Sequence, residues 1–401
     1  MVDFRERRAR MFMGPRPHGF IEPDRIVGPL ELFYDLVVVV LVGQAAHHLA
    51  QHLTWEGIGD FAAIFGLVWL AWMNGTLMHD LHGRDDVGSR GRVFAQMMVL
   101  TVMATQAGRA PEGGGRAFAW SAAALFALLA YLWWWVARRD DPVWRPITRV
   151  YITSTAVVAG LLAASSAFSP GWRVATWGGV VIGFLGMSST TIARAGNAEW
   201  RTPILVTDAI AERFGLFVII VLGEVFVGVV NGLSAEDLHP RQITTALLAL
   251  TVGFGAWWSY FDLVAQAPPR PRGGSAAAWM FLHLPLTGGV AASGASMVAL
   301  VEHADSGRAG TGASLVLAGG VAVLLLASTA CMLMRDDPPR VEVRACVVAA
   351  IACVGLGALR PAPWLLALGL VLVLAVPWLI AVLRGTVMPS PDASRAGPPA
   401  T

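Results

Sequence analysis

Twelve runs of mostly apolar residues, each close to the length that crosses a bilayer, divide this chain at short loops rich in arginine. A helix rises 1.5 Å per residue, so about 20 residues span the hydrocarbon. Only helices and closed barrels satisfy their own backbone polar groups there. The runs cover roughly 31–51, 57–79, 93–109, 117–137, 147–168, 173–193, 209–232, 243–265, 277–301, 311–334, 345–359 and 364–383. The shortest, 345–359, also fits a re-entrant segment. The expected fold is an all-α polytopic membrane helix bundle of about twelve transmembrane helices. A charged share of 14% against a hydrophobic share of 56% agrees with that class.

The arginines orient the bundle. Arg109, Arg116, Arg173, Arg241, Arg308 and Arg360 fall on one side of the expected membrane, and Arg213 sits inside a sequence motif. All the other arginines fall in the tails and alternate loops of the opposite side. Basic loops stay in the cytoplasm, so both termini are expected there: a tail over 1–28 and a disordered tail over 385–401. The basic N-terminus has no signal-peptide core or cleavage pattern, and the first run reads as a retained span.

Two stretches match each other. Pro29-Leu30-Glu31-Leu32-Phe33-Tyr34-Asp35-Leu36 leads through an apolar run to Gly43-Gln44, and Glu212-Arg213-Phe214-Gly215-Leu216-Phe217 leads to Gly223-Glu224. Arg139-Asp140-Asp141-Pro142 after the fourth run is echoed by Arg335-Asp336-Asp337-Pro338 after the tenth, and Ala71-Trp72 by Ala256-Trp257. The chain thus reads as two pseudo-symmetric six-helix halves, 29–193 and 209–384, joined by a cytoplasmic linker over 194–208. With an even number of spans per half, the relating axis is expected along the membrane normal.

Composition excludes several activities. There is no lysine, hence no lysine Schiff base and no Walker phosphate loop. A formal net charge of +2, with arginines scattered through loops, gives nucleic acid no surface. Cys331, Cys346 and Cys353 lie in apolar runs without zinc-ligand spacing and read as small hydrophobes. No resident metal or cofactor is implied, and the expected partners are the lipid bilayer and a small solute or lipophilic substrate.

Carboxylates inside apolar runs are costly and therefore informative. Glu31 and Asp35, four residues apart, share one helix face. Asp35 lies about 6 Å deeper and needs a partner, for which the forked guanidinium of Arg213 is suited. Glu212 opens the same span as Arg213, and Glu224 lies about 18 Å further along the axis, past the middle of the hydrocarbon. Gln44 holds the corresponding place in the first run. Packing alone, through a buried protonated carboxyl, remains an alternative to a titrating or ligand-binding Glu224.

His47 and His48 follow Gln44 by one turn but point to different faces, and together with Glu56 they fit an extracytoplasmic mouth better than a metal site. His79, Asp80, His82, Asp85 and Asp86 are metal-like in type, yet the arginines among them point to a solvated ion-pair loop. Asp262 ends an aromatic stretch, Trp257-Trp258-Ser259-Tyr260-Phe261. His283 precedes Pro285, which removes a backbone donor beside the imidazole. A tolerated kink explains that pair as well as a site does. Glu302 and His303 read as solvated.

These motifs resemble the bacterial low-temperature-requirement A (LtrA) family of membrane proteins. The marks are Glu31 to Leu36 with Gln44 and His47/His48, Thr54-Trp55-Glu56-Gly57, Glu212 to Phe217 with Gly223-Glu224, Trp257-Trp258 to Asp262, and His283-Leu284-Pro285. Where the family often carries a His one turn before the second-half Glu, this chain has Ala209. The resemblance implies a bacterial inner-membrane protein and names no activity. Major facilitator transporters share the six-plus-six plan and a Gly/Asp/Arg loop loosely like Gly83 to Arg92, an analogy of architecture only.

The leading reading is a transporter or permeation protein for a small solute, proton-coupled through Glu224. The site candidates are Glu31, Asp35, Gln44, His48, Glu212, Arg213, Glu224, Asp262 and His283. A membrane-embedded enzyme using Asp, Glu and His as acid–base groups on a lipophilic substrate is the first alternative. A structural, stress-response role for the polar groups is the second.

Overall fold

The computed structural model describes residues 13–18, 25, 27–195, 206–233, 238–266, 269 and 275–386. Much of the expected linker (196–205) and nearly all of the expected C-terminal tail (387–401) lie outside that set, as do Arg5, Arg7, Arg8 and Arg10 of the N-terminal tail. The described residues contain helices and no strand. The long helices are α1 (Pro29–Gln51), α2 (Trp55–His82), α3 (Val87–Ala107), α4 (Gly115–Ala137), α5 (Arg145–Ser165), α6 (Pro170–Ala195), α7 (Asp208–Gly232), α8 (Pro240–Tyr260), α9 (Ser275–Glu302), α10 (Thr311–Leu333), α11 (Arg340–Leu359) and α12 (Pro363–Leu383). Ten of them are long and apolar enough to cross a membrane. The other two, α3 with Arg90, Arg92 and Gln96, and α6 with Arg173 and a Ser/Thr-rich end, are more polar. The short run 345–359 is the larger part of a 20-residue helix that begins at Arg340.

Local chemistry sets the helix starts. Pro29 occupies the first turn of α1, where its missing N–H costs nothing, and Glu31 reaches back to accept the Gly28 N–H at 2.8 Å. Thr54 caps α2 by accepting the Gly57 N–H at 3.1 Å. A Cβ on Gly57 would lie 1.9 Å from the His52 carbonyl oxygen, so the α1–α2 turn admits no side chain there. Asp86 caps α3 through the Ser89 N–H at 2.8 Å and also accepts the Met13 N–H at 2.7 Å. Burial opposes its ionisation, but these bonds hold the carboxyl below the usual carboxylate range.

Two compact units divide the chain, Met1–Ile220 and Val221–Thr401, and the division falls within α7. In the first unit α2 is the hub, 94% buried over its apolar window, with α1, α4 and α6 packed against it. Around that hub the polarity of a soluble protein is inverted. On α1, Glu31 and Asp35 face inward at 5% and 0% exposure, whereas Phe33, Leu36 and Val40 are more than half exposed. An apolar outer face of that kind suits lipid.

The second unit is held by close backbone crossings. A Cβ on Gly228 of α7 would meet the Gly294 carbonyl oxygen of α9 at 2.1 Å, and one on Gly289 of α9 would meet the Gly320 oxygen of α10 at 2.6 Å. Small residues at such crossings maximise packing where no hydrophobic effect drives helices together. At its end α8 widens to a π turn over Phe261–Ala265, and the Arg335 guanidinium takes the Leu263 carbonyl there.

Candidate functional site

The first unit gathers a buried charged network at the N-terminal end of α1. Arg213, 4% exposed in the second turn of α7, donates from its Nη2 to Asp35 Oδ1 at 3.0 Å and from its Nε to Asp35 Oδ2 at 3.3 Å. This fork is the strongest guanidinium–carboxylate geometry. Its remaining Nη1 donates to Glu31 Oε1 at 3.3 Å. The Trp72 indole N–H donates to Asp35 Oδ1 at 2.7 Å, so three donors meet one carboxylate with no solvent exposure. Aromatic rings wall the pair: Trp72 stacks on Phe217 at 4.0 Å, and Phe214 stands edge-on to Trp72 at 5.0 Å.

The network continues outward through Glu31. Arg25 donates to Glu31 Oε1 at 2.7 Å and pairs with Asp80, while His79 Nε2 lies 3.7 Å from the same Glu31 oxygen. Arg16 donates from its Nη2 to the carbonyls of Asp80 at 2.8 Å and His79 at 3.2 Å. Three guanidiniums thus stand among the three carboxylates of Glu31, Asp35 and Asp80. Charge balance is what makes burial of so many ions tolerable.

Sequence reasoning joined Glu31, Asp35 and Arg213, and the structure brings those three together. It missed Arg25, Asp80 and Trp72. The loop expected over 79–86 begins late, because α2 continues to His82, which is 3% exposed. Only Asp85, on the surface and paired with Arg90, matches a solvated ion-pair loop.

The remaining candidates lie elsewhere. Glu212 is exposed and accepts the Val27 N–H at 3.3 Å. Gln44 is exposed beside Gly108, at the far end of α1 from the network. His47 is exposed and His48 buried, the latter 3.6 Å from Asp60 and stacked on His52. In the second unit, Asp262 accepts the Trp378 indole N–H at 2.9 Å. His283 is fully buried and satisfied: its Nδ1 lies 2.8 Å from the Trp279 carbonyl, so it carries the proton, and its Nε2 accepts from the Tyr260 hydroxyl at 3.1 Å. Glu224 is half-buried on α7, and no hydrogen bond or ion pair reaches its carboxylate among the described residues.

Comparison with known proteins places these features in a family. An uncharacterized protein, RA0937 of Rhizobium meliloti (strain 1021), is 28% identical over 289 residues, a match covering 65% of this chain and 66% of that protein. The profile described as bacterial low temperature requirement A protein matches residues 26–378, which includes every helix of the charged network. The chain is a multi-pass membrane protein and belongs to the bacterial low temperature requirement A (LtrA) family.

Proposed function

We propose that this protein is a transporter or permeation protein for a small solute in the bacterial inner membrane, coupled to protons through Glu224. The observation that carries the reading is the contrast between two carboxylates. Asp35 is met by three donors and locked, as a structural ion should be. Glu224 lies beyond the middle of a 25-residue apolar helix, and among the described residues no hydrogen bond or ion pair reaches it. A carboxylate kept for packing needs its hydrogen bonds, whereas one that exchanges a proton must be free to change state. The widened end of α8 and Pro285 within α9 add the helix irregularities common in carriers.

The reading includes twelve spans with both termini in the cytoplasm. Two contacts support the less apolar α3 as a full crossing. Asp140, just after α4, meets His18 beside the end of α2, so the loops after α2 and α4 share one end of the unit. Gly108, just after α3, meets Gln44 near the other end of α1.

The test is proton flux in vesicles loaded with a pH-sensitive dye, challenged with a panel of small solutes under an imposed pH gradient. Glu224→Gln preserves shape and removes the exchangeable proton. It is expected to express as wild type and to abolish solute-driven collapse of the gradient. If Glu224→Gln responds to every solute as wild type does, the proton role is wrong. Loss of folded protein in Glu224→Ala but not in Glu224→Gln would mark the residue as structural.

A further inference from the structure

Outside the charged network, three side chains from separate parts of the first unit converge on one point. They are His18 of the N-terminal tail, His82 at the end of α2 and Asp140 of the α4–α5 loop, and one ligand atom from each lies within 4.8 Å of the others. The His18 and Asp140 side chains are 8% and 3% exposed, and His82 is 3% exposed. His18 Nδ1, His82 Nε2 and Asp140 Oδ2 are buried without a well-aligned hydrogen bond. Three such orphans at one place call for an explanation.

The other atoms of these groups are held as a ligand set would be. His82 Nδ1 lies 2.8 Å from the Arg16 carbonyl oxygen. That oxygen only accepts, so the proton sits on Nδ1 and Nε2 presents a lone pair. Asp140 Oδ1 accepts the backbone N–H groups of His18 at 3.1 Å and Asp141 at 3.0 Å, so Oδ2 is the oxygen turned to the two imidazoles. Trp144 stacks on the His18 ring at 4.5 Å, and Trp133 stands edge-on to His82 at 5.8 Å. A His18–Asp140 pair, 3.2 Å apart, accounts for two of the groups without a metal. It leaves His82 Nε2 without a partner among the described residues.

We infer that His18, His82 and Asp140 form a binding site for a divalent transition-metal ion of the zinc type, which fastens the N-terminal tail to the helix bundle. Two imidazoles and a carboxylate select borderline ions such as Zn²⁺ over Mg²⁺ or Ca²⁺. Bonds of about 2.0–2.1 Å require the donors to close to roughly 3.4 Å of one another. His18 Nδ1 and Asp140 Oδ2 already stand 3.2 Å apart, so the closing that remains is toward His82 Nε2. Three protein ligands leave a fourth position for water, and a cleft lined by His79, His82, Ser89 and Arg92 opens beside the set. Binding displaces any proton shared by His18 and Asp140, so uptake releases protons. The inference does not depend on the transport reading.

The test uses the full-length, untagged protein in detergent, stripped by chelator and then titrated with Zn²⁺ alone. Wild type is expected to retain one Zn²⁺ per chain, with proton release seen as a buffer-dependent heat and a rise in melting temperature. His18→Ala lies in the tail, outside every helix. It and Asp140→Asn are expected to bind about tenfold or more weakly and to lose the thermal shift. Equal zinc uptake by wild type and His18→Ala overturns the site, as does no stoichiometric uptake by wild type. Loss of uptake in His48→Ala but not in His18→Ala would put the metal at the other end of α1 and equally overturn it.

Discussion

At the scale of single residues, Arg213 is the keystone of the first unit. Its guanidinium serves both Asp35 and Glu31, and Asp35 has no solvent to fall back on. Arg213→Ala leaves a buried carboxylate with the Trp72 indole as its remaining donor, a loss on the order of 3–5 kcal/mol. Folded yield and melting temperature in detergent are expected to drop sharply, while Arg84→Ala, which removes a surface contact, changes neither. Equal yields from the two variants would count against the pair. Arg213→Lys is expected to rescue only part of the loss, because an ammonium cannot fork onto a carboxylate.

That pair was legible because a carboxylate one turn inside an apolar run needs a cation, and Arg213 stands in the matching motif of the seventh run. The rest of the network was not. Arg25 sits in a tail and Asp80 near a polar loop, where charge usually means solvent. Trp72 stood out only as an echo of Trp257, and no local pattern tells which indole N–H will meet an acid 37 residues away. The convergence of positions 18, 82 and 140 is likewise tertiary, with no spacing to betray it.

At the scale of helices, hydropathy located the elements well because a long apolar run satisfies its backbone polar groups best as a helix. It misplaced ends such as that of α2, where polar residues continue the helix to His82. It was also blind to which glycines matter. Gly228 and Gly319 look alike in sequence, yet a Cβ on Gly228 would press into the Gly294 backbone, whereas one on Gly319 meets open space. Gly228→Ala must push α7 from α9 and is expected to cost about 1–3 kcal/mol of stability. Gly319→Ala is expected to be neutral or slightly stabilising, since alanine is the better helix former. Equal melting temperatures for the two would mean that the crossing is slack.

At the scale of the whole molecule, the choice between twelve spans and ten turns on α3 and α6, and exposed loop positions decide it. The native cysteines are buried, so an impermeant maleimide reads introduced ones cleanly. With twelve spans, Asp85→Cys and Asp141→Cys are labelled from the cytoplasmic side and Glu112→Cys from outside. If α3 and α6 lie short of crossing, Asp85→Cys and Asp141→Cys label from opposite sides.

The Arg213–Asp35 fork also has a history during synthesis. Its partners are 178 residues apart, and a ribosome adds about 5–20 residues per second, so the first helix waits roughly 10–35 s for its counter-ion. Through that interval Asp35 must stay protonated, remain near the lipid headgroups or shelter in the insertion machinery. The seventh helix, on arriving, seals the first in place. A nascent chain halted before Arg213 carries in its opening helix an acid whose counter-ion has not yet been made.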